Sequence, residues 1–220
     1  MKKIICLITA ALLMFSLPVY AQNRVGIIGG LNSSTFKTDD ESVYESRTFI
    51  GIGGVLDLAL NKQVFLRLEP MYLQKGALQT DSDPEGKVKS SYLEIPLFLK
   101  YEFGGTVKPY LVAGPSIGFL LSSEIELEMS GITFKGDLKP VYKSIDIGFG
   151  LGAGIDYPVG NLSIFLETRY TFGMSDFNKG GSTDIKWGDV SQTVDIVDSN
   201  VKNKGLQVMF GITFPFGASK

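Results

Sequence analysis

The chain has 220 residues, enough for one domain or two small ones. Lys and Arg number 21 against 23 Asp and Glu, a formal net charge of −2, so there is no electrostatic footprint for nucleic acid. Histidine is absent, which excludes an imidazole base and every His-ligated zinc or haem site. A single cysteine excludes an internal disulfide, and 44% hydrophobic against 20% charged residues excludes a disordered chain.

The N-terminus has the layout of a secretory signal peptide. Lys2 and Lys3 precede the mostly apolar stretch Ile4 to Leu17, and Pro18-Val19-Tyr20-Ala21 follows. A spanning helix needs about 20 apolar residues, and this stretch is shorter. The expected cut lies between Ala21 and Gln22, giving a removed segment, 1–21, and one domain, 22–220. Cys6 lies early in the apolar stretch rather than at the cut, so it is expected to leave with the signal.

Beyond Gln22 the dominant signal is period-two alternation, the mark of a strand with two unlike faces. Weak alternation at 24–32, 48–60 and 63–75 leads to the sharpest case, Tyr92 to Phe103. There Leu93, Ile95, Leu97, Leu99, Tyr101 and Phe103 share one face, and Tyr92, Glu94, Pro96, Phe98, Lys100 and Glu102 share the other. A weak strand at 108–121 follows. In Ser144 to Tyr157, apolar residues oppose Ser144, Asp146, Gly148, Gly150, Gly152, Gly154 and Asp156. Leu162 to Met174 and Leu206 to Phe216 complete eight strands, and no segment has a helical period.

The connections alternate in length. Residues 61–62, 104–107 and 158–161 are tight turns, whereas 33–47, 76–90, 122–143 and 175–204 are long and polar. An even number of antiparallel strands with short turns at one end and long loops at the other describes an outer-membrane barrel. The expected fold is therefore all-β, an eight-stranded antiparallel up-and-down transmembrane β-barrel.

A soluble ligand-binding barrel would turn the same alternation inside out. A water-exposed face is about 25–35% charged, yet the polar face of 144–156 is dominated by glycine. Inside a narrow barrel, glycine leaves room for large side chains from facing strands, and Phe98, Arg67 and Arg169 are candidates to fill it. Eight strands leave space for side chains but not for a wide pore. Arg67, Glu69, Glu94, Lys100, Asp146, Glu167 and Arg169 would form an inward network of paired charges. Tyr101, Phe103, Tyr157, Tyr170, Phe172, Phe214 and Phe216 sit near the ends of the apolar faces, where aromatic girdles belong.

These residues carry a resemblance. Tyr92-Leu93-Glu94-Ile95-Pro96-Leu97, the stretch Lys108-Pro109-Tyr110-Leu111-Val112-Ala113-Gly114-Pro115-Ser116-Ile117-Gly118, the glycine strand 147–155 and the final strand 205–214 resemble one known family. It is the small outer-membrane β-barrel family of Bacteroidetes-type bacteria, labelled porin family or PorT family. The resemblance implies an eight-stranded barrel in the outer membrane with both termini in the periplasm. It brings no agreed catalytic or binding residues. It implies contact with outer-membrane lipid and lipopolysaccharide, and with the barrel-insertion machinery through Phe210, Phe214 and Phe216. One departure is that the chain runs past Phe216 to Lys220 rather than ending on an aromatic.

Three chemical strings have bland readings. Gly148-x-Gly150-x-x-Ala153 spells a dinucleotide pattern, which needs a helix N-terminus that an alternating strand does not supply. Asp81-x-Asp83-x-Glu85-Gly86 starts like a calcium loop, but Tyr92 stands where the closing Glu belongs. Glu69 and Glu94 could pair for acid–base work, without evident access for a substrate. No enzyme, cofactor or metal is expected. Glu124, Glu126 and Glu128 suggest a hairpin beyond the membrane, and Trp187 lies in the longest loop.

The expected role is structural or surface-interacting in a Gram-negative envelope, as a monomer with an unknown extracellular or secretion partner. A narrow porin, or an accessory part of a secretion or envelope-assembly machine, are the alternatives.

Overall fold

The computed structural model describes residues 23–38, 44–79, 85–129, 131–187 and 190–216. The expected signal segment with Cys6 and Ala21, the adjoining Gln22, the calcium-like Asp81 and Asp83, and the tail 217–220 lie outside the described residues.

The described residues form twelve strand segments. They are β1 (Arg24–Thr38), β2 (Glu45–Ala59), β3 (Val64–Leu68), β4 (Met71–Gln79), β5 (Glu85–Glu102) and β6 (Lys108–Met129). Then come β7 (Ile132–Asp137), β8 (Ile145–Val159), β9 (Leu162–Gly173), β10 (Gly181–Trp187), β11 (Val190–Ile196) and β12 (Val201–Pro215). A short 3-10 turn, Lys139–Val141, follows β7.

Nine of these segments form a closed antiparallel ring with eight positions. The order is β1, β2, β3 continued by β4, β5, β6, β8, β9 and β12, which pairs back onto β1. β5 and β6 form a long hairpin across the tight turn 104–107, with Tyr92 opposite Leu120 and Glu102 opposite Tyr110, and the pairing of β12 with β1 closes the ring.

Twelve segments in place of eight strands have two causes. The stretch 63–75 is split at Glu69 and Pro70, because proline has no N–H for the ladder. Hydrogen bonding runs through the break: Gly54 N–H donates to Pro70 O at 3.0 Å and Glu69 N–H to Pro96 O at 3.2 Å. The other cause is that the long polar connections are partly strand. β5 and β6 run 18 and 22 residues, well beyond the 9–11 or so that cross a bilayer. β7, β10 and β11 then add to β6 outside the ring. A strand bathed in water on one face has no need of continuous apolar alternation, so its sequence reads as a loop.

The turns obey local chemistry. Asn61 Oδ1 accepts the N–H groups of Gln63 and Val64, both at 2.8 Å, in the short β2–β3 connection. Gly160 supplies the positive φ, +60°, that the β8–β9 turn needs.

Gly148, Gly150 and Ala153 lie inside β8, and β9 follows through a tight turn, so no helix N-terminus meets them. Tyr92 is buried inside the ring.

Candidate functional site: the filled interior and the outer mouth

Alternation puts unlike residues on the two sides of the ring wall. Outside, Ile27, Ile52, Leu99, Leu111, Leu151, Leu166 and Phe210 are each at least half exposed. Tyr101, Phe103, Tyr157, Tyr170, Phe172, Phe214 and Phe216 are on this outer side too, all exposed. Phe103, Tyr157, Phe214 and Phe216 lie toward the short-turn end; Tyr170 and Phe172 lie toward the long-loop end, where Phe172 packs on Phe149 at 5.7 Å.

Inside, Arg67, Glu69, Glu94, Lys100, Asp146, Glu167 and Arg169 are all buried. They form two groups. The larger is near the short-turn end. Arg67 holds Asp57 with two donors, Nε at 2.6 Å and Nη2 at 2.8 Å, and reaches Glu167 with Nη1 at 3.0 Å. Arg169 donates to Glu69, to Glu167 at 3.2 Å, and through Nε to Gln207 at 2.6 Å. Lys100 touches Glu102 at 2.8 Å and both Asp57 and Asp156 at 3.3 Å. The smaller group is nearer the long loops, where Lys75 meets Glu94 at 2.5 Å and Asp146 at 3.2 Å.

Asp57, Arg24, Lys75, Glu102 and Asp156 complete these groups, and the sequence reading left them out. Glu102 and Asp156 stand on polar faces already visible by alternation. Arg24, Asp57 and Lys75 sit on weakly alternating strands; Lys75 shares its face with the buried Met71 and Leu73 and Asp57 with the buried Val55, so alternation there does not separate charged from apolar residues. Arg24 joins Glu102 at 2.7 Å and Asp156 at 2.8 Å, beside the chain's first strand.

Glu69 and Glu94 do not form an acid–base pair. Glu69 is bonded to Arg169 and Glu94 to Lys75. Each is matched to its own base because a carboxylate without water needs its own cation.

The glycine face of β8 accommodates the large side chains. A Cβ at Gly150 would stand 3.0 Å from the Phe98 ring, and one at Gly152 2.5 Å from Arg169 Cβ. Arg67 does not occupy a β8 glycine; it stacks over Tyr110 at 5.3 Å and Phe165 at 4.8 Å. The Tyr110 phenol takes the space at Gly154, and its OH donates to Glu167 at 2.9 Å. A Cβ at Gly154 would collide with that phenol and lie 2.7 Å from the Leu166 carbonyl oxygen, which is backbone and cannot rotate away. Gly154→Ala should therefore cost about 1–3 kcal/mol through overpacking, read as a lower urea midpoint in a lipid-refolding titration.

At the long-loop end an apolar cluster caps the interior. Phe36, Tyr92, Leu120, Val141, Tyr142 and Phe177 are buried together. Two connections bring it there. The segment around Val141 and the segment around Phe177 cross the mouth and hold each other: Lys143 N–H donates to Phe177 O at 2.7 Å, and Lys179 N–H to Val141 O at 3.0 Å.

Asp176 latches this closure. Its carboxylate accepts Lys143 Nζ at 2.7 Å and the N–H groups of Asn178 and Val201, both at 3.0 Å. Burial pushes this carboxyl up, but the bonds from Lys143, Val201 and Asn178 outweigh it and hold the group below the usual aspartate range. A depressed carboxyl contributes above its unfolded value and is lost as pH falls through its folded value. The latch is thus complete at neutral pH and opens only in acid, below the ordinary aspartate value of about 3.9. Amide exchange at Val201 and Asn178, corrected for intrinsic rates, should accelerate on acidification. In Asp176→Asn that extra acceleration should vanish.

A closed antiparallel ring, apolar outside and ionic inside, defines a barrel whose solvent on the outside is hydrocarbon. The match of a family model agrees: residues 20–179 fit the outer membrane protein beta-barrel domain. The chain belongs to that family, and it is an integral outer-membrane protein. Solved outer-membrane structures align with the chain. A major outer membrane protein from Thermus thermophilus aligns with a TM-score of 0.53 at 13% identity, over 90% of this chain and 100% of that one. OprG from Pseudomonas aeruginosa aligns at 0.49 and 16%, over 90% and 97%. Neisserial surface protein A aligns at 0.47 and 14%, over 88% and 97%. No curated protein matches the chain.

Proposed function

We propose that this protein is an eight-stranded transmembrane barrel that conducts nothing and presents its long-loop end at the cell surface for interaction. The carrying observation is the interior. Ion pairs and rings from β1, β2, β3, β5, β8 and β9 bond across the lumen, and the buried cluster of Tyr92, Leu120 and Val141 closes the mouth. Dimensions support the crossing. Leu206 to Phe216, at about 3.3 Å per residue, spans about 33 Å along the strand; a tilt of about 40° reduces it to about 25 Å, the height of a barrel's apolar band.

On this reading the outer aromatics contact lipid at the two interfaces, and the short turns and both termini face the periplasm after removal of 1–21. The long connections meet lipopolysaccharide and any extracellular partner. The insertion machinery reads Phe210, Phe214 and Phe216 on β12. The barrel is a monomer without catalysis or cofactor. The likeness to PorT-labelled proteins supports an envelope role and leaves a secretion role as a further proposal.

Refolding of residues 22–220 into vesicles tests this. A compact gel band that shifts on boiling is expected, followed by planar-bilayer recordings without steady current steps. Steady ohmic steps would replace this reading with the narrow porin. A chain that folds without lipid would overturn the transmembrane reading altogether.

A further inference from the structure

Above the ring, β6, β7, β10 and β11 form a sheet with two unlike faces. One face carries Glu124, Glu126, Lys135, Asp184, Lys186 and Asp195. Its ions pair locally, as Lys135 does with Glu126 at 2.9 Å. The register puts Leu127, Phe134, Trp187 and Val190 in one row on the other face. Phe134 and Trp187 touch with ring centroids 5.9 Å apart. Trp187 and Val190 are 49% and 59% exposed, far from the apolar belt of the ring, so bilayer contact does not explain them.

This apolar face leads to a half-enclosed chamber of about 190 Å³ at the barrel mouth. Ile125 and Leu127 of β6 and Ile196 at the end of β11 belong to both. Phe36, Tyr44 and Phe177 supply rings to the wall. These rings fix one another: Phe36 packs on Phe177 at 5.1 Å and on Tyr44 at 5.5 Å, and Phe177 on Tyr142 at 4.9 Å. No Asp, Glu, Lys or Arg lines the chamber among the described residues. The Asn178 amide at its side is already committed to Val197 O at 2.9 Å and Ser199 Oγ at 2.8 Å.

We propose that this chamber binds a compact, uncharged, apolar molecule about the size of one substituted aromatic ring. Protein interiors leave few voids larger than water, and an apolar cavity of about 150 Å³ stays dry and accepts benzene. A 190 Å³ chamber with rigid ring walls suits that class. An ion would be stripped of water without a partner. The wall residues Phe36, Ala77, Leu138, Tyr142 and Phe177 pack in one buried cluster with Tyr92 and Val141, so the chamber backs onto a filled interior and holds a ligand rather than passing it. Its ligand arrives from the outside, along the row ending at Trp187 and Val190. This goes beyond the surface-interaction reading and shares with it only the folded barrel.

The test uses the refolded protein, methyl-labelled at Ile, Leu and Val, in lipid nanodiscs, with fluorobenzene as probe. Saturable shifts are expected at the methyls of Val88, Ile125, Leu127 and Val201. Methyls on the outside of the ring, such as Ile27 and Ile52, should shift linearly as the probe partitions into lipid. Ala77→Phe fills the chamber and should weaken the saturable response at least tenfold, leaving the linear one unchanged. Val88→Phe serves the same end from β5 if Ala77→Phe loses its heat-shifted band. Linear shifts everywhere, or saturation unaffected in a folded filled variant, would overturn the proposal. Loss of the heat-shifted band in the unsubstituted protein would instead overturn the barrel reading.

Discussion

Arg67→Met should destabilise the folded barrel by about 3–5 kcal/mol, the cost of breaking a buried ion pair from one side. The side chain is fully buried and serves three carboxylates, Asp57 through a two-pronged contact, Glu167 through Nη1 at 3.0 Å and Glu69 through a longer ion pair at 3.6 Å. Its guanidinium also lies against the Phe165 ring at 4.8 Å and the Tyr110 ring at 5.3 Å. Methionine replaces much of the volume and none of the charge. Asp57 keeps Lys100 at 3.3 Å, which is longer and shared with Asp156. Glu167 keeps Arg169 at 3.2 Å and the Tyr110 hydroxyl. The measurement is a urea titration in vesicles, comparing midpoints at unchanged slope. Adding Asp57→Asn should recover part of the loss, because the uncompensated charge goes with it. A single variant within about 0.5 kcal/mol of the parent, the range of an ordinary surface change, would mean the network is not closed around Arg67.

Leu97→Arg should cost about 2–4 kcal/mol, the penalty for a cation at mid-depth on a barrel's lipid face. Leu97 is exposed on the outside of β5, between Leu93 and Phe103, which are exposed on the same side. β5 begins at Glu85, so Leu97 is not midway along the strand; it is midway along the apolar part. Lys89 is exposed on the same strand but lies opposite Gly76 and Glu124, above that part. Lys89→Ala should stay within about 0.5 kcal/mol. The pair of variants separates depth in lipid from exposure, since exposure alone treats the two positions alike.

Much of the barrel was legible because its wall is an alternating code. Tyr92 to Phe103 lists its inner and outer residues by parity alone. The seven buried charges named from sequence follow the same parity, as does the glycine face of β8. What parity cannot show is who meets whom across the lumen. Glu69 and Glu94 looked like a pair because both are acidic and inward, yet each is matched to a base from a different strand. Tyr110 looked like part of a motif, and only the ring brings it over Gly154 and against Glu167.

The outer end was less legible. The segment Glu124 to Glu128 alternates charged and apolar residues, and its hairpin with β7 follows from that. β10 and β11 alternate only briefly, at Asp184-Ile185-Lys186-Trp187 and Val194-Asp195-Ile196, too short to stand out in the long connection 175–204. Strand pairing, not composition, made them a sheet.

By itself, the sequence determined the period, the two faces, the turn positions and the absence of any histidine chemistry, because these depend only on neighbours along the chain. Tertiary structure alone decided the closure of β12 onto β1, the assignment of each interior acid to its base, and the chamber at the barrel mouth. Those depend on residues tens of positions apart meeting across a closed ring, as Arg67 meets Glu167. The spacing of such meetings is set by strand stagger, which no local pattern records.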